Sequence, residues 1–270
     1  MENLLLTYHE RKANNVEIFQ YPDGQMNVRV DLDYYTAKHG IDIKCSIREF
    51  KELEVFLCII AALRKADRLI NRIEFVYLFG MRSDRAFELG QPNYFRDVLA
   101  PILSNIIPVE TSVRIFSPHK EWQAKVLGGA DETFMWPPNY PLGEHVIIGG
   151  DMSVTDWHCE MHFIKTRTEF GVKQSLEEND LLTLKLRLLQ SDCKGIAIVD
   201  DLCDGGATFI AAAKYLGEFL PDVKIDLIVM HGLFSKGVEH VAQHFNHVYC
   251  SNSYMNRHGL PENTTQFKVI

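Results

Sequence analysis

The chain has 270 residues, enough for two packed units of ordinary domain size, and 46% hydrophobic against 24% charged residues, a balance that excludes disorder. A formal net charge of −8 excludes broad nucleic-acid binding, which needs a basic face to neutralise phosphates, but leaves room for a local basic pocket. No apolar run approaches the roughly 20 residues that cross a bilayer, residues 1–15 lack a cleavage-like small-residue site, and the six cysteines form no C-x-x-C pair, so a reduced cytoplasmic protein without membrane contact or zinc is expected.

Along the chain, β-like runs at 16–20 and 26–32 flank Tyr21-Pro22-Asp23-Gly24-Gln25, turn chemistry that predicts a hairpin. Residues 48–67 carry Leu53, Phe56, Leu57, Ile60 and Leu63 at helical spacing, which predicts one long helix with an apolar face. A strand at 73–79, a polar loop from Gly80, a helix near 94–106 and a strand at 112–116 follow. The proline cluster Trp136-Pro137-Pro138-Asn139-Tyr140-Pro141-Leu142-Gly143 is the predicted boundary between domains at 1–141 and 142–270, with the last strand able to pack back on the first domain. Beyond it, strands are predicted at 145–148, 161–164, 195–200, 224–230 and 247–250, and helices at 208–219 and 238–244. Short apolar strands alternating with helices predict an α/β fold of two tandem domains, each a mainly parallel sheet flanked by helices.

The stretch Ile196-Ala197-Ile198-Val199-Asp200-Asp201-Leu202-Cys203-Asp204-Gly205-Gly206-Ala207-Thr208 carries the most chemistry. An apolar strand ends in two acids, turns through glycines and opens a helix. Adjacent carboxylates at a strand end can accept hydrogen bonds from neighbouring ribose hydroxyls. Gly205 and Gly206 let backbone N–H groups approach an anion, and the helix start adds unpaired donors and a positive dipole end. Singly, Asp204 and Thr208 read as helix caps; together the run describes a ribose-phosphate cradle, since three acids ending an apolar strand are costly without a partner.

Residues 199–208 resemble the ribose-phosphate-binding signature of type I phosphoribosyltransferases and ribose-phosphate pyrophosphokinases. Phe79-Gly80-Met81-Arg82-Ser83-Asp84-Arg85 resembles the ATP loop of the latter, and Ser117-Pro118-His119 falls at their aspartate-leucine-histidine motif. Lys165-Thr166-Arg167 is similar to the lysine-x-arginine of their mobile catalytic loop, His231-Gly232-Leu233-Phe234-Ser235 is close to their wording, and Tyr21–Gln25 is similar to the hairpin turn that reaches a neighbouring subunit's adenine. The likeness runs in order over nearly the whole chain, so two phosphoribosyltransferase-like domains are expected.

The resemblance implies a Mg²⁺-dependent diphosphotransferase using ATP. Lys165 and Arg167 would be catalytic. Arg82, Ser83, Asp84, Arg85, His119, Tyr21, Asp23 and Gln25 would bind ATP. Asp200, Asp201, Asp204, Gly205, Gly206, Ala207 and Thr208 would bind ribose phosphate, with His119 and Asp151 near the metal. A homodimer or larger homo-oligomer is implied.

Departures from the family's pattern are equally informative. Gly205 replaces a threonine and Ala207 a glycine in the phosphate loop; Met152-Ser153 stand where a glycine pair follows the aspartate; Ser83 replaces glutamine and Gln25 glutamate. The sequence ends at Phe267-Lys268-Val269-Ile270, where typical members continue through another helix, a departure that puts their hexamer and allosteric machinery in doubt. Losing a hydroxyl and gaining room beside the phosphate favours a 5-phosphate that continues into a diphosphate. The chain thus looks like short phage-type members whose acceptor is ADP-ribose, with ribose 5-phosphate the other choice. A phosphoribosyltransferase and a silent regulatory partner of a true synthetase stay open. His158 with His162, and His240 with His244, have helical metal-ligand spacing but no third ligand nearby, and no G-x-x-x-x-G-K-[ST] run occurs.

Overall fold

The computed structural model describes residues 4–8, 11–12, 15–35, 40–83, 86, 88–132, 135–150, 159–169, 171–190 and 192–270. The chain forms two compact units, Met1–Glu132 with Ile270, and Thr133–Val269.

The first unit contains β1 (Leu4–Tyr8), β2 (Arg11–Lys12), β3 (Val16–Gln20), β4 (Met26–Val30), β5 (Ile41–Ile47), α1 (Phe50–Lys65), β6 (Ile70–Leu78), a π-helical turn Phe95–Leu99 running into α2 (Ala100–Ile106), β7 (Ser112–Phe116), α3 (Glu121–Val126) and β8 (Ala130–Glu132). Its six-stranded sheet has the order β2-β1-β5-β6-β7-β8. The strands β5 to β8 are parallel and β1 is antiparallel to β5. The predicted hairpin forms as β3 and β4 and packs on α1, whose Leu53, Phe56, Ile59, Ile60 and Leu63 are buried. The helix predicted at 94–106 begins as a π-turn because Pro101, at its junction with α2, has no N–H to complete the regular ladder.

The second unit contains β9 (His145–Gly149), β10 (Met161–His162), β11 (Ile164–Thr168), β12 (Gly171–Ser175), α4 (Glu178–Leu188), β13 (Gly195–Cys203), α5 (Ala207–Phe219), β14 (Ile225–Gly232), α6 (Val238–Ala242), β15 (His247–Ser251) and β16 (Thr264–Phe267). All pairings in its sheet, ordered β10-β9-β13-β14-β15-β16, are parallel. Every residue of β13 and β14 is buried, as expected of central parallel strands covered on both faces. Strands β11 and β12 form a separate antiparallel hairpin.

Two boundaries differ from expectation. The division falls at Glu132/Thr133, ahead of the proline cluster, because that cluster docks on the second unit. There Tyr140 Oη donates to Asp226 Oδ2 at 3.2 Å, and its ring meets Tyr249 edge-on at 5.2 Å. Asn246 Nδ2 also donates to Asp226, at 2.8 Å. Burial, then the nearby Asp226 carboxyl, raises the Tyr140 pKa far above its ordinary value, which keeps the hydroxyl a donor. The last strand, β16, continues the second sheet beside β15 and is held there by Asn252, whose N–H donates to Phe267 O at 2.9 Å and whose Oδ1 accepts from Val269 N at 2.7 Å.

The six cysteines are free thiols, with Cys45, Cys203 and Cys250 buried; burial pushes the Cys250 thiol up to about 11. Among the described residues no helix is long and apolar enough to cross a membrane. Replacing Tyr140 by Phe removes a donor from a buried carboxyl and is expected to destabilise the protein by about 1–3 kcal/mol, read as a lower urea midpoint at unchanged slope.

Candidate active site

Strand β13 runs apolar from Ile196 to Val199 and then buries two carboxyls, with Asp200 7% and Asp201 5% exposed. Such groups need partners. The Asp200 Oδ1 accepts from Asp201 N at 2.8 Å. On its other side it abuts β9: a Cβ at Gly150 would lie 2.4 Å from Asp200 Oδ2, so residue 150 must be glycine for this carboxyl to stay in place. Gly150 N donates to Val199 O at 2.8 Å, and the buried Gln174 donates Nε2 to Gly150 O at 3.3 Å. Sequence reasoning missed Gly150 and Gln174. The glycine pair at the end of β9 was the available signal for the first; a lone Gln on a polar stretch gives none for the second.

After Cys203 the chain turns through exposed Asp204 and then Gly205. Gly206, not Asp204, is the N-cap of α5; it has φ +79°, and a Cβ there would lie 2.5 Å from Val241 Cγ2. Both a left-handed backbone and close packing therefore demand glycine. No side chain caps α5 among the described residues, so the capping roles that Asp204 and Thr208 suggest singly are not used. The first-turn N–H groups, with Ala207 and Thr208 among them, are left as donors.

The neighbouring β14–α6 loop supports this turn. Leu233 N and Phe234 N donate to Cys203 O at 2.9 and 3.1 Å, and Arg257 Nη2 donates to Gly232 O at 3.1 Å. Buried His231 lies 2.8 Å, through Nδ1, from Ser253 Oγ, whose hydroxyl donates to Met230 O; the imidazole is therefore the donor to the serine. The stem of Lys236 runs beside Gly205, with Cε 3.5 Å from where a Cβ would stand.

Lys165 and Arg167 lie on β11, paired with Gln174 and Val172 of β12. Lys165 is half-buried. Its partner Gln174 is the residue that bonds Gly150, so the hairpin's base is tied to the backbone flanking Asp200.

In the first unit, the loop after β6 and the loop after β7 meet. Arg82 Nη1 lies 3.0 Å from His119 Nδ1. A guanidinium only donates, so Nδ1 accepts and the neutral ring carries its proton on Nε2. In this contact the Nε2–H is the ring's remaining donor. Gln123, also missed from sequence, fixes both loops: its Nε2 donates to Met81 O at 2.7 Å and its Oε1 accepts from Lys120 N at 3.0 Å. Ser83 is exposed and its carbonyl accepts from Phe95 N at 3.3 Å. The Tyr21–Gln25 turn is exposed throughout; Gly24 N donates to Tyr21 O and Gln25 N to Asp23 Oδ1. Asp84, Arg85 and Asp151 lie outside the described residues. Among the described residues no three His, Cys, Asp or Glu gather as metal ligands.

Both units thus place their polar groups at the carboxyl ends of parallel strands, where open α/β sheets bind ligands. No family model matches the chain. The chain is 25% identical to the ribose-phosphate pyrophosphokinase of Pyrococcus abyssi (strain GE5 / Orsay), over 95% of this chain and 88% of that one. Its structure superposes on the crystal structure of phosphoribosylpyrophosphate synthetase from Mycobacterium smegmatis with a TM-score of 0.66 and 16% identity, covering 94% of this chain and 85% of that chain. The chain is a sequence relative of ribose-phosphate pyrophosphokinases and carries the fold of that enzyme class.

Replacing Gly150 by Ala forces the Asp200 carboxyl to move. The expected outcome is a folded protein whose ribose-phosphate affinity falls about tenfold or more, as loss of a charged hydrogen bond does, while ATP affinity is unchanged; titration calorimetry with each ligand checks this.

Proposed function

We propose that the chain is a pyrophosphokinase that moves the β,γ-diphosphoryl group of ATP to the anomeric hydroxyl of a 5-phosphorylated ribose, with ADP-ribose as the preferred acceptor and ribose 5-phosphate as the alternative. The observation that carries this reading is the buried Asp200–Asp201 pair leading into an uncapped helix start, on a chain similar over 95% of its length to a ribose-phosphate pyrophosphokinase.

The chemistry assigns the parts as follows. Carboxylates of Asp200 and Asp201 accept from the acceptor's two ring hydroxyls and orient the sugar. The backbone N–H groups from Gly205 to Thr208, aided by the α5 dipole, hold the 5-phosphate. Arg82 and the Nε2–H of His119 donate to ATP phosphate oxygens, with Ser83, Asp84 and Arg85 on the same loop, and the Tyr21–Gln25 turn serves a neighbouring subunit's adenine. The anomeric oxygen attacks the β-phosphorus, the bond from that phosphorus to the α,β-bridging oxygen breaks, and AMP leaves. Phosphoryl transfer is chiefly positioning and charge stabilisation, and Lys165 and Arg167 neutralise oxygens of the moving group. A magnesium ion bound with ATP would supply charge neutralisation for the triphosphate. His119 and Asp151 are the residues that would hold the ion.

AMP release from Mg-ATP, measured with ADP-ribose and with ribose 5-phosphate, tests the reading. AMP formation that requires one of these sugars is expected, faster with ADP-ribose; none with either would leave a phosphoribosyltransferase or a silent partner. Lys165→Ala is expected to lower kcat about 10²-fold, the size of a lost oxyanion contact, with little change in KM. Asp200→Asn with Asp201→Asn should raise the acceptor KM about tenfold or more and leave that for ATP unchanged.

A further inference from the structure

Lys236 belongs to no motif read from the sequence, yet it lies against the most altered part of the phosphate loop. The turn Phe234 to Gly237 is closed by Gly237 N donating to Phe234 O at 2.9 Å, and the bonds from Leu233 N and Phe234 N to Cys203 O pin it to the end of β13. From this turn the lysine stem extends along Gly205, with Cε, Cδ and Cγ at 3.5, 3.6 and 3.8 Å from a Cβ position there. The γ atoms of a branched residue at 205 would compete with that stem for space. Lys236 is exposed, and no hydrogen bond or ion pair engages its ammonium among the described residues.

We propose that Lys236 grips the second phosphate of a diphosphate-linked ribose and so selects it over a ribose bearing a single 5-phosphate. This rests on the reading of the β13–α5 turn as the acceptor's phosphate cradle. A first phosphate on the α5 N–H groups is served by backbone donors. A second one, continuing outward past Gly205, leaves those donors and meets the ammonium at the rim. Lysine is a compact point charge suited to phosphate, and the stem's packing on Gly205 reduces the rotamer freedom lost on binding.

The test uses the full chain with Lys236→Ala, Lys236→Gln and Lys236→Arg. The side chain is exposed, so thermal midpoints should match the parent's. For Lys236→Ala and Lys236→Gln, kcat/KM with ADP-ribose is expected to fall about tenfold or more, the loss of one charged contact, with less than about a threefold change for ribose 5-phosphate. The KM for ATP should not move, and Lys236→Arg should retain most of the preference. An equal fall for both acceptors, or no change for either, overturns the inference. Calorimetric binding of ADP-ribose and ribose 5-phosphate without ATP separates this from the reaction itself. If the parent binds both yet forms no AMP, the proposed reaction fails and Lys236 is judged by whether its removal weakens ADP-ribose binding alone.

Discussion

Two carboxyl groups buried at the end of an otherwise apolar central strand impose the arrangement of the second unit. A carboxyl taken out of water must find donors or a ligand, and β13 sits between β9 and β14 with every residue buried. Among the described residues, backbone supplies part of what meets this demand at Asp200. Gly150 lets Asp200 come within van der Waals reach of β9, the Asp201 N–H turns onto Asp200, and Gln174 closes the other face of Gly150. The result is a patch of acceptors at a strand's carboxyl end, beside a helix start whose first N–H groups no side chain caps among the described residues.

The first unit solves the complementary problem. Its loops present donors, a guanidinium and an imidazole 3.0 Å apart, and a single buried glutamine, Gln123, fixes both by bonding Met81 O and Lys120 N. One unit therefore offers acceptors suited to sugar hydroxyls together with N–H groups suited to a phosphate. The other offers cationic and neutral donors suited to anionic oxygens. Both sets stand at the carboxyl ends of parallel strands, the consequence of right-handed β–α–β connections that bring successive loops to one edge of a sheet.

Much of the fold was legible because burial on both faces leaves an apolar signature. The β13 and β14 cores, the apolar face of α1 and the Tyr21–Gln25 turn were each read from residue type. Elements with weaker contrast were not. In α4, Leu182, Leu184, Leu186 and Leu188 alternate as a strand would, and only Leu184 is buried in the helix. The proline cluster looked like a linker because its anchor, the Tyr140–Asp226 bond, joins residues 86 positions apart.

The amino-acid order alone determined the chemistry that the chain brings to its strand ends: the three acids and two glycines of the β13–α5 turn, the Arg82 and His119 loops, and the Lys165–Arg167 pair, all of them local runs. Tertiary structure alone decided which glycine the Asp200 carboxyl needs, which glutamines hold the loops, and that Lys236 lies on Gly205. Those are contacts between residues remote in sequence, and close packing, unlike periodicity, leaves no trace along a single chain.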